Sequence, residues 1–124
     1  MSPKKILVVD DEPGIVELLE MRLKATGYEV SSAYDGVEAL EKAKREKPDL
    51  VILDLMLPKM DGYKVCALLK KDARYARIPI VMFTARAQEE DRKMGLEAGA
   101  DGYITKPFEP QVLLDKIQQL IGNG

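Results

Sequence analysis

Short apolar runs alternate with helix-period stretches along the 124 residues of this chain, and this alternation restricts the fold more than any other feature. Apolar runs typical of strands occupy residues 5–9, 28–33, 50–53, 78–83 and 103–105. The stretches that follow them repeat apolar residues at the three- and four-residue spacing of helices, at 14–26, 36–47, 62–72, 87–98 and 110–121. Strands that alternate with helices in this way are typical of parallel β-α units.

The run LVIL at residues 50–53 indicates how the sheet is covered. It is apolar at every position, as expected of a strand that is buried on both faces of a sheet. Right-handed crossovers between such strands predict a doubly wound, three-layer α/β sandwich. The length of the chain is typical of one domain, and we therefore expect residues 1–124 to form a single domain.

The stretch 87–98 has the weakest helix pattern in the chain. Its main apolar residues are Met94 and Leu96, and Gly95 lies between them. A helix with few apolar anchors and an internal glycine requires little free energy to move. We therefore expect this helix to be the most easily displaced of the five.

Composition excludes several classes of function. A net charge of -2 does not favour nucleic-acid binding, which requires a basic surface. The chain has no histidine, which excludes histidine-dependent catalysis, and its one cysteine, Cys66, fits a reducing compartment. No run approaches the roughly 18 apolar residues of a membrane span, nor does the start of the chain resemble a signal peptide. We therefore expect a cytoplasmic protein without a membrane contact.

Polar residues stand where the strong strands end. Asp10 and Asp11 follow the first strand, Asp54 follows the third, and Thr84 and Lys106 follow the fourth and fifth. Parallel strands bring these exits to one edge of the sheet, where ligands bind in open α/β folds. Carboxylates so close together repel one another unless a divalent cation neutralises them, and oxygen ligands with room for water suit Mg²⁺. The set therefore predicts a site for a phosphoryl group, with Asp54 as its nucleophile.

Each of these residues also has an ordinary structural role open to it. Asp10 or Asp11 could cap the first helix, and Asp54 could belong to a turn. Thr84 could bond its own backbone, and Lys106 could be a solvated loop residue. All of them stand at one predicted edge and in chain order, which favours the site over a set of separate structural roles.

Four segments carry a resemblance to a known family: VVDDEP, DLVILDLMLPKMDG, FTA and YITKPF. In order and spacing the chain resembles the receiver domain of two-component response regulators, the CheY-like superfamily. The resemblance implies a flavodoxin-like fold, with a five-stranded parallel sheet of order 2-1-3-4-5 and five helices. It implies a single receiver domain over residues 1–124, with no output domain in this chain.

The resemblance also assigns the site. Asp54 is implied to accept a phosphoryl group from a histidine kinase, forming an aspartyl phosphate. Mg²⁺ is implied as the cofactor, held by Asp10, Asp11, Asp54 and the backbone carbonyl of Met56. Lys106 matches the family's lysine. The chain is implied to be a phospho-acceptor rather than an enzyme with turnover.

A conformational switch follows from the same resemblance. Thr84 matches the family's switch hydroxyl, Tyr103 its switch aromatic, and Lys106–Pro107 its usual cis peptide bond. Phosphorylation would draw Thr84 inward, let Tyr103 turn from exposed to buried, and alter the face made by the fourth helix, the fifth strand and the fifth helix. That face would control an unknown effector or output domain, with no direct binding of nucleic acid by this domain.

The oligomeric state is expected to be a monomer or a phosphorylation-dependent dimer. In the DNA-binding regulators, charged residues on the last helices and strand join an activated dimer, and Arg92 and Asp101 fit that pattern. This chain departs from it at Gly102, Val112 and Lys116.

In the family that this chain resembles, the residues two positions after the acceptor aspartate and the switch hydroxyl, here Asp54 and Thr84, tune how fast the phosphate is lost. They are Met56 and Arg86, which are long enough to shield an acyl phosphate from water. We therefore predict slow autodephosphorylation.

Three other functions remain open at this point. A Mg²⁺-dependent aspartyl-phosphate phosphatase would need an acid/base at position 56, where this chain has Met56. A flavin carrier would need a phosphate loop after the first strand, where DDEPG is acidic. A pseudo-receiver would act only as a binding module.

Overall fold

The computed structural model describes residues 3–85 and 88–122, which form a five-stranded parallel sheet with helices on both faces. The strands are β1 (Lys5–Val9), β2 (Glu29–Ala33), β3 (Leu50–Leu53), β4 (Ile80–Thr84) and β5 (Gly102–Thr105), in the order β2-β1-β3-β4-β5. The helices are α1 (Pro13–Ala25), α2 (Gly36–Glu46), α3 (Gly62–Lys71), α4 (Glu89–Glu97) and α5 (Pro110–Ile121). The predicted fold class and strand order are confirmed.

Alternation along the strands places apolar side chains on both faces of the sheet, because successive residues of a strand point in opposite directions. Leu7 and Val9 of β1 belong to the core under α2 and α3. Ile6 and Val8 belong to the core under α1 and α5. The sheet is thus the middle layer of three, as the run LVIL predicts.

Strand β4 begins and ends later than its apolar run predicts. Residues 78–83 were the expected strand, but the ladder runs from Ile80 to Thr84, where Thr84 pairs with Thr105. Pro79 has no backbone N–H to contribute to a ladder, and its carbonyl accepts the bond from Val51 N (2.9 Å). At the other end of the strand, the pairing with Thr105 makes Thr84 the last residue of β4 rather than the first residue after it.

Helix α4 buries a face that the sequence did not predict. Met94 and Leu96, the expected apolar anchors, are 49% and 67% exposed, so that prediction is wrong. Positions 94 and 96 are two residues apart and cannot share a helix face, whereas Asp91 and Gly95 are four apart and are both buried. The absent side chain of Gly95 lets the helix approach Tyr103, whose ring would lie 3.2 Å from an added Cβ.

Across residues 3–85 and 88–122, every helix is too short or too polar to reach across a lipid bilayer.

Candidate functional site

The carboxyl edge of the sheet holds Asp10 and Asp54 in fixed backbone positions. Asp10 N donates to Ala33 O (3.2 Å) and Asp54 N donates to Val9 O (3.0 Å), so both residues continue the hydrogen-bond ladder beyond the strands they follow. Asp10 is fully buried and Asp54 is 4% exposed. The two carboxylates are therefore set at neighbouring strand ends, where the sequence predicted them.

Lys106 links these two carboxylates. Its Nζ donates to Asp10 Oδ2 at 2.5 Å and to Asp54 Oδ2 at 3.4 Å, and it lies 5.0 Å from the centre of the Phe83 ring. The backbone N–H of Lys106 donates to Thr84 O (2.8 Å), which ties the loop after β5 to the end of β4. The Lys106–Pro107 bond is cis, as predicted. One ammonium group is thus held against two carboxylates from different strands.

Burial and charge act in opposite directions on the titration of this cluster. Burial raises the pKa of the Asp54 carboxyl; the positive charge of Lys106 opposes that rise, and the negative charge of Asp10 adds to it. Burial also lowers the pKa of Lys106, but its bonds to Asp10 and the charge of Asp54 outweigh burial, and the pKa is raised overall. Lys106 is therefore held charged beside a carboxylate that burial leaves poorly stabilised.

Three acidic residues meet at the start of α1. Asp10, Asp11 and Glu12 each place a carboxylate oxygen within 4.8 Å of the others; Asp10 is buried, and the other two are exposed. Hard oxygen donors open to water on one side fit Mg²⁺. Glu12 is not among the predicted ligands, although it directly follows Asp10 and Asp11 in the acidic run DDE. Asp54 lies outside this group and is connected to it through Lys106.

The segment from Leu55 to Asp61 passes beside Asp54, and we call it the acceptor loop (residues 55–61). Met56 N faces Asp54 Oδ1 at 3.4 Å, and the Met56 side chain is 56% exposed. Its backbone carbonyl is the predicted ligand. Arg86, the second residue expected to shield a phosphate, lies outside the described residues.

The two predicted switch residues occupy adjacent strands. Thr84 is fully buried at the end of β4, and Tyr103 is half-buried on β5, where it pairs with Met82. The Arg92 guanidinium lies 5.0 Å from the centre of the Tyr103 ring. Burial raises the pKa of the Tyr103 hydroxyl to about 12, and the nearby Tyr63 and Asp91 add to this rise. Tyr103 is thus held by contacts from α3 and α4.

Asp101, which fits the dimer pattern, is bonded within the chain. Its Oδ2 accepts from Lys70 Nζ (2.8 Å) and from Ile80 N (2.8 Å). This contact joins α3 to the start of β4. The dimer itself stays a prediction.

Known sequences match this chain over nearly its whole length. The family described as the response regulator receiver domain matches residues 6–118. The alkaline phosphatase synthesis transcriptional regulatory protein PhoP of Bacillus subtilis is 51% identical over 118 residues, which are 95% of this chain and 48% of that protein. The chain therefore spans about half the length of the curated relatives it matches.

Solved structures agree with the fold. The chemotaxis protein CheY4 of Vibrio cholerae is 36% identical with a TM-score of 0.89, over 95% of this chain and 98% of that chain. The receiver domain of a sensor histidine kinase from Pseudomonas aeruginosa is 34% identical with a TM-score of 0.89, over 97% of this chain and 98% of that chain. That second structure contains a magnesium ion coordinated in its active-site cleft.

Proposed function

This chain belongs to the response regulator receiver domain family, and we propose that it is a signalling switch that accepts a phosphoryl group on Asp54. The observation that carries the proposal is the position of Lys106 Nζ, 2.5 Å from Asp10 Oδ2 and 3.4 Å from Asp54 Oδ2. An ammonium group at this point lies where a phosphoryl oxygen on Asp54 would need a positive charge.

In the reaction, Asp54 Oδ attacks the phosphorus in line, and the bond from phosphorus to the donor breaks. Lys106 contacts one phosphoryl oxygen, and the Thr84 hydroxyl donates to another. Asp10, Asp11, Asp54 and the Met56 carbonyl would hold Mg²⁺, and Glu12 is near enough to join them. Bound Mg²⁺ would neutralise negative charge on the transferring group. The raised pKa of Asp54 fits a site that requires cations to stabilise its ionised form.

The proposed conformational change on phosphorylation begins at Thr84, at the end of β4. Inward movement of its side chain toward the phosphoryl group changes the space beside Tyr103, which lies on the neighbouring strand. The face made by α4, β5 and α5 then repacks, and α4 moves readily because its exposed Met94 and Leu96 do not anchor it.

The partners follow from the family. We propose a histidine kinase as the phosphodonor and a separate effector, or an output domain of a longer protein, as the receiver of the signal. PhoP is named a transcriptional regulatory protein and is about twice as long as the matched region, which fits an output domain outside the receiver domain. The single cysteine of the chain fits the cytoplasm. The oligomeric state that we propose is a monomer or a phosphorylation-dependent dimer.

Intact-mass measurement after incubation with acetyl phosphate tests the acceptor. We expect one phosphoryl adduct on the wild type with Mg²⁺, and none with EDTA or in Asp54→Ala. An adduct that persists in Asp54→Ala would move the acceptor elsewhere. The absence of any adduct on the wild type would favour a pseudo-receiver, and continuous release of phosphate would favour a phosphatase.

The switch and the lifetime of the phosphate have their own tests. Thr84→Ala and Tyr103→Ala should both phosphorylate but lose the effector response, and normal signalling by Tyr103→Ala would contradict the aromatic part of the proposal. Met56→Asn and Arg86→Ala should shorten the lifetime of the adduct. An unchanged lifetime in both would contradict shielding by these side chains.

A further inference from the structure

The acceptor loop is in backbone contact with the turn that begins α2. Gly36 N donates to Pro58 O (3.2 Å), so the turn is bonded directly to the loop. A Cβ at Gly36 would lie 1.8 Å from the Met60 carbonyl oxygen and 2.6 Å from its carbon. Such distances are far inside van der Waals contact, and the obstructing atoms are main chain, so they cannot rotate away. Any side chain at position 36 therefore has to displace the loop.

Asp35 adds a second and weaker tie to the same loop. Its Oδ1 caps α2 by accepting from Glu38 N (2.8 Å), and its Oδ2 faces Lys59 Nζ at 3.5 Å. Lys59 has a φ of 67°, in the left-handed region. The Lys59 side chain is largely exposed, and exposed ion pairs contribute little. The close approach at Gly36 is therefore the main constraint.

The far end of the loop is closed by Gly62. Gly62 N donates to Leu55 O (3.0 Å), and a Cβ there would lie 2.3 Å from the carbonyl oxygen of Asp54 itself. The loop is thus held by two main-chain hydrogen bonds: one from Gly62, the residue that follows it, and one from Gly36 at the start of α2. Between these two contacts lies Met56, whose N–H faces Asp54 Oδ1.

We propose that Gly36 is a positioning residue of the acceptor site, which holds the acceptor loop so that the Met56 main chain stays beside Asp54. Gly36 touches no reacting atom, and Asp35 supports it through Lys59. The inference rests on the proposed function, because it concerns where the loop presents its main chain to the metal and the phosphoryl group. The contact between Met56 N and Asp54 Oδ1 is already long at 3.4 Å, so a small displacement of the loop breaks it.

Gly36→Ala tests the proposal, with Gly14→Ala as the matched control. Both variants add one methyl group near the carboxyl edge, but a Cβ at Gly14 meets no atom within 4 Å. We expect Gly36→Ala to raise the Kd for Mg²⁺, measured by calorimetry, and to slow adduct formation with acetyl phosphate at limiting Mg²⁺ about ten- to hundredfold. Gly14→Ala should match the wild type in both the Kd for Mg²⁺ and the rate of adduct formation.

A readout on the metal-free protein separates positioning from stability. In Gly36→Ala the NMR shifts of the Met56 and Met60 amides should move, whereas those of β1 and β3 should not. A purely structural role would lower the urea midpoint of unfolding but leave the Kd of the folded protein unchanged. That result, in a folded Gly36→Ala, would overturn the proposal.

Lys59→Ala keeps the proposal testable if Gly36→Ala does not fold. It removes only an exposed side chain, and we expect a shift of the same amides and a rise of about two- to threefold in the Kd for Mg²⁺, in line with a weak surface pair. An unaltered Kd and unaltered amides would then contradict the part of the proposal in which Asp35 supports the loop through Lys59. A wild type without a Mg²⁺-dependent adduct on Asp54 would instead contradict the proposed function.

Discussion

Helices α3 and α4 come before and after β4 in the chain and are held to the rest of the domain in different ways. Helix α3 buries Val65, Cys66 and Leu69, and the Asp61 side chain caps its start by accepting from Lys64 N (2.9 Å). Helix α4 buries Asp91 and Gly95, and within the described residues no side chain caps its start. The helix that continues from the acceptor loop is thus fixed by apolar burial, and the helix that follows Thr84 is not.

Polar contacts hold α4 instead. Tyr63 of α3 donates its hydroxyl to Asp91 O at 3.0 Å, and Arg92 lies over the Tyr103 ring. A hydrogen bond contributes a net 0.5–1.5 kcal/mol, roughly, whereas a fully buried apolar side chain contributes about 1.5–3 kcal/mol. This contrast predicts that the packing of α4 can change at a smaller cost in free energy than the packing of α3.

The largest expected effect on the free energy of unfolding is in the apolar core that α3 buries. Leu69→Ala should lower the free energy of unfolding by about 2–5 kcal/mol, because it leaves a cavity in the core under α3. Leu96→Ala is the matched control on α4. It should change the free energy of unfolding by less than about 0.5 kcal/mol, since the Leu96 side chain is exposed. Urea unfolding measures both. Equal losses would mean that α4 is as firmly anchored as α3.

Ionisation of Cys66 should destabilise the α3 side at high pH. Burial raises the pKa of this thiol to about 11, so the folded state keeps its proton where the unfolded chain, near 9, loses it. The stabilisation is therefore present below pH 9 and falls by about 2–3 kcal/mol as the pH rises to 11.

The measurement is the difference in free energy of unfolding between wild type and Cys66→Ala at several pH values. This difference should shrink as the pH passes from 9 to 11, because the variant has no thiol to ionise. Curves that stay parallel over this window would contradict a buried, protonated Cys66.

Loss of the α3 cap should have a smaller effect. Asp61→Ala removes the acceptor of the Lys64 N–H and should lower the free energy of unfolding by about 1 kcal/mol. Gln88→Ala changes the residue at the same position of α4 and should have almost no effect, because its side chain makes no capping bond. Thermal unfolding of both variants is the check, and a larger loss in Gln88→Ala would reverse the comparison.

The smallest effect concerns the polar contact between the two helices. Tyr63→Phe removes the hydroxyl that bonds Asp91 and should speed amide exchange in α4, while lowering the free energy of unfolding by only about 0.5 kcal/mol, the low end of the range for a hydrogen bond, because this bond is only partly buried. Exchange in α3 should change little. Tyr34→Phe, at an exposed tyrosine, is the control, and an equal response to both variants would show that Tyr63 does not hold α4.

Much of the fold could be predicted from local pattern. The runs at 5–9 and 50–53 match β1 and β3, because strands buried on both faces are nearly continuous apolar runs: LVIL is apolar throughout, and KILVV is apolar after Lys5. Helix α5 matches its apolar stripe over 110–121. The anchors of α4 could not be predicted in the same way, since its buried face is made of Asp91 and Gly95, neither of which is an apolar signal.

For the site, the sequence by itself determined which chemical groups arrive at the carboxyl edge, because parallel strands bring Asp10, Asp54 and Lys106 there whatever the loops do. Only the tertiary structure decided that Lys106 lies against both carboxylates and that Gly36 meets the Met60 carbonyl. The physical reason is that periodicity reports how each element faces the sheet. Contacts between loops that are distant in sequence depend on close packing of main chain against main chain, for which no local pattern exists.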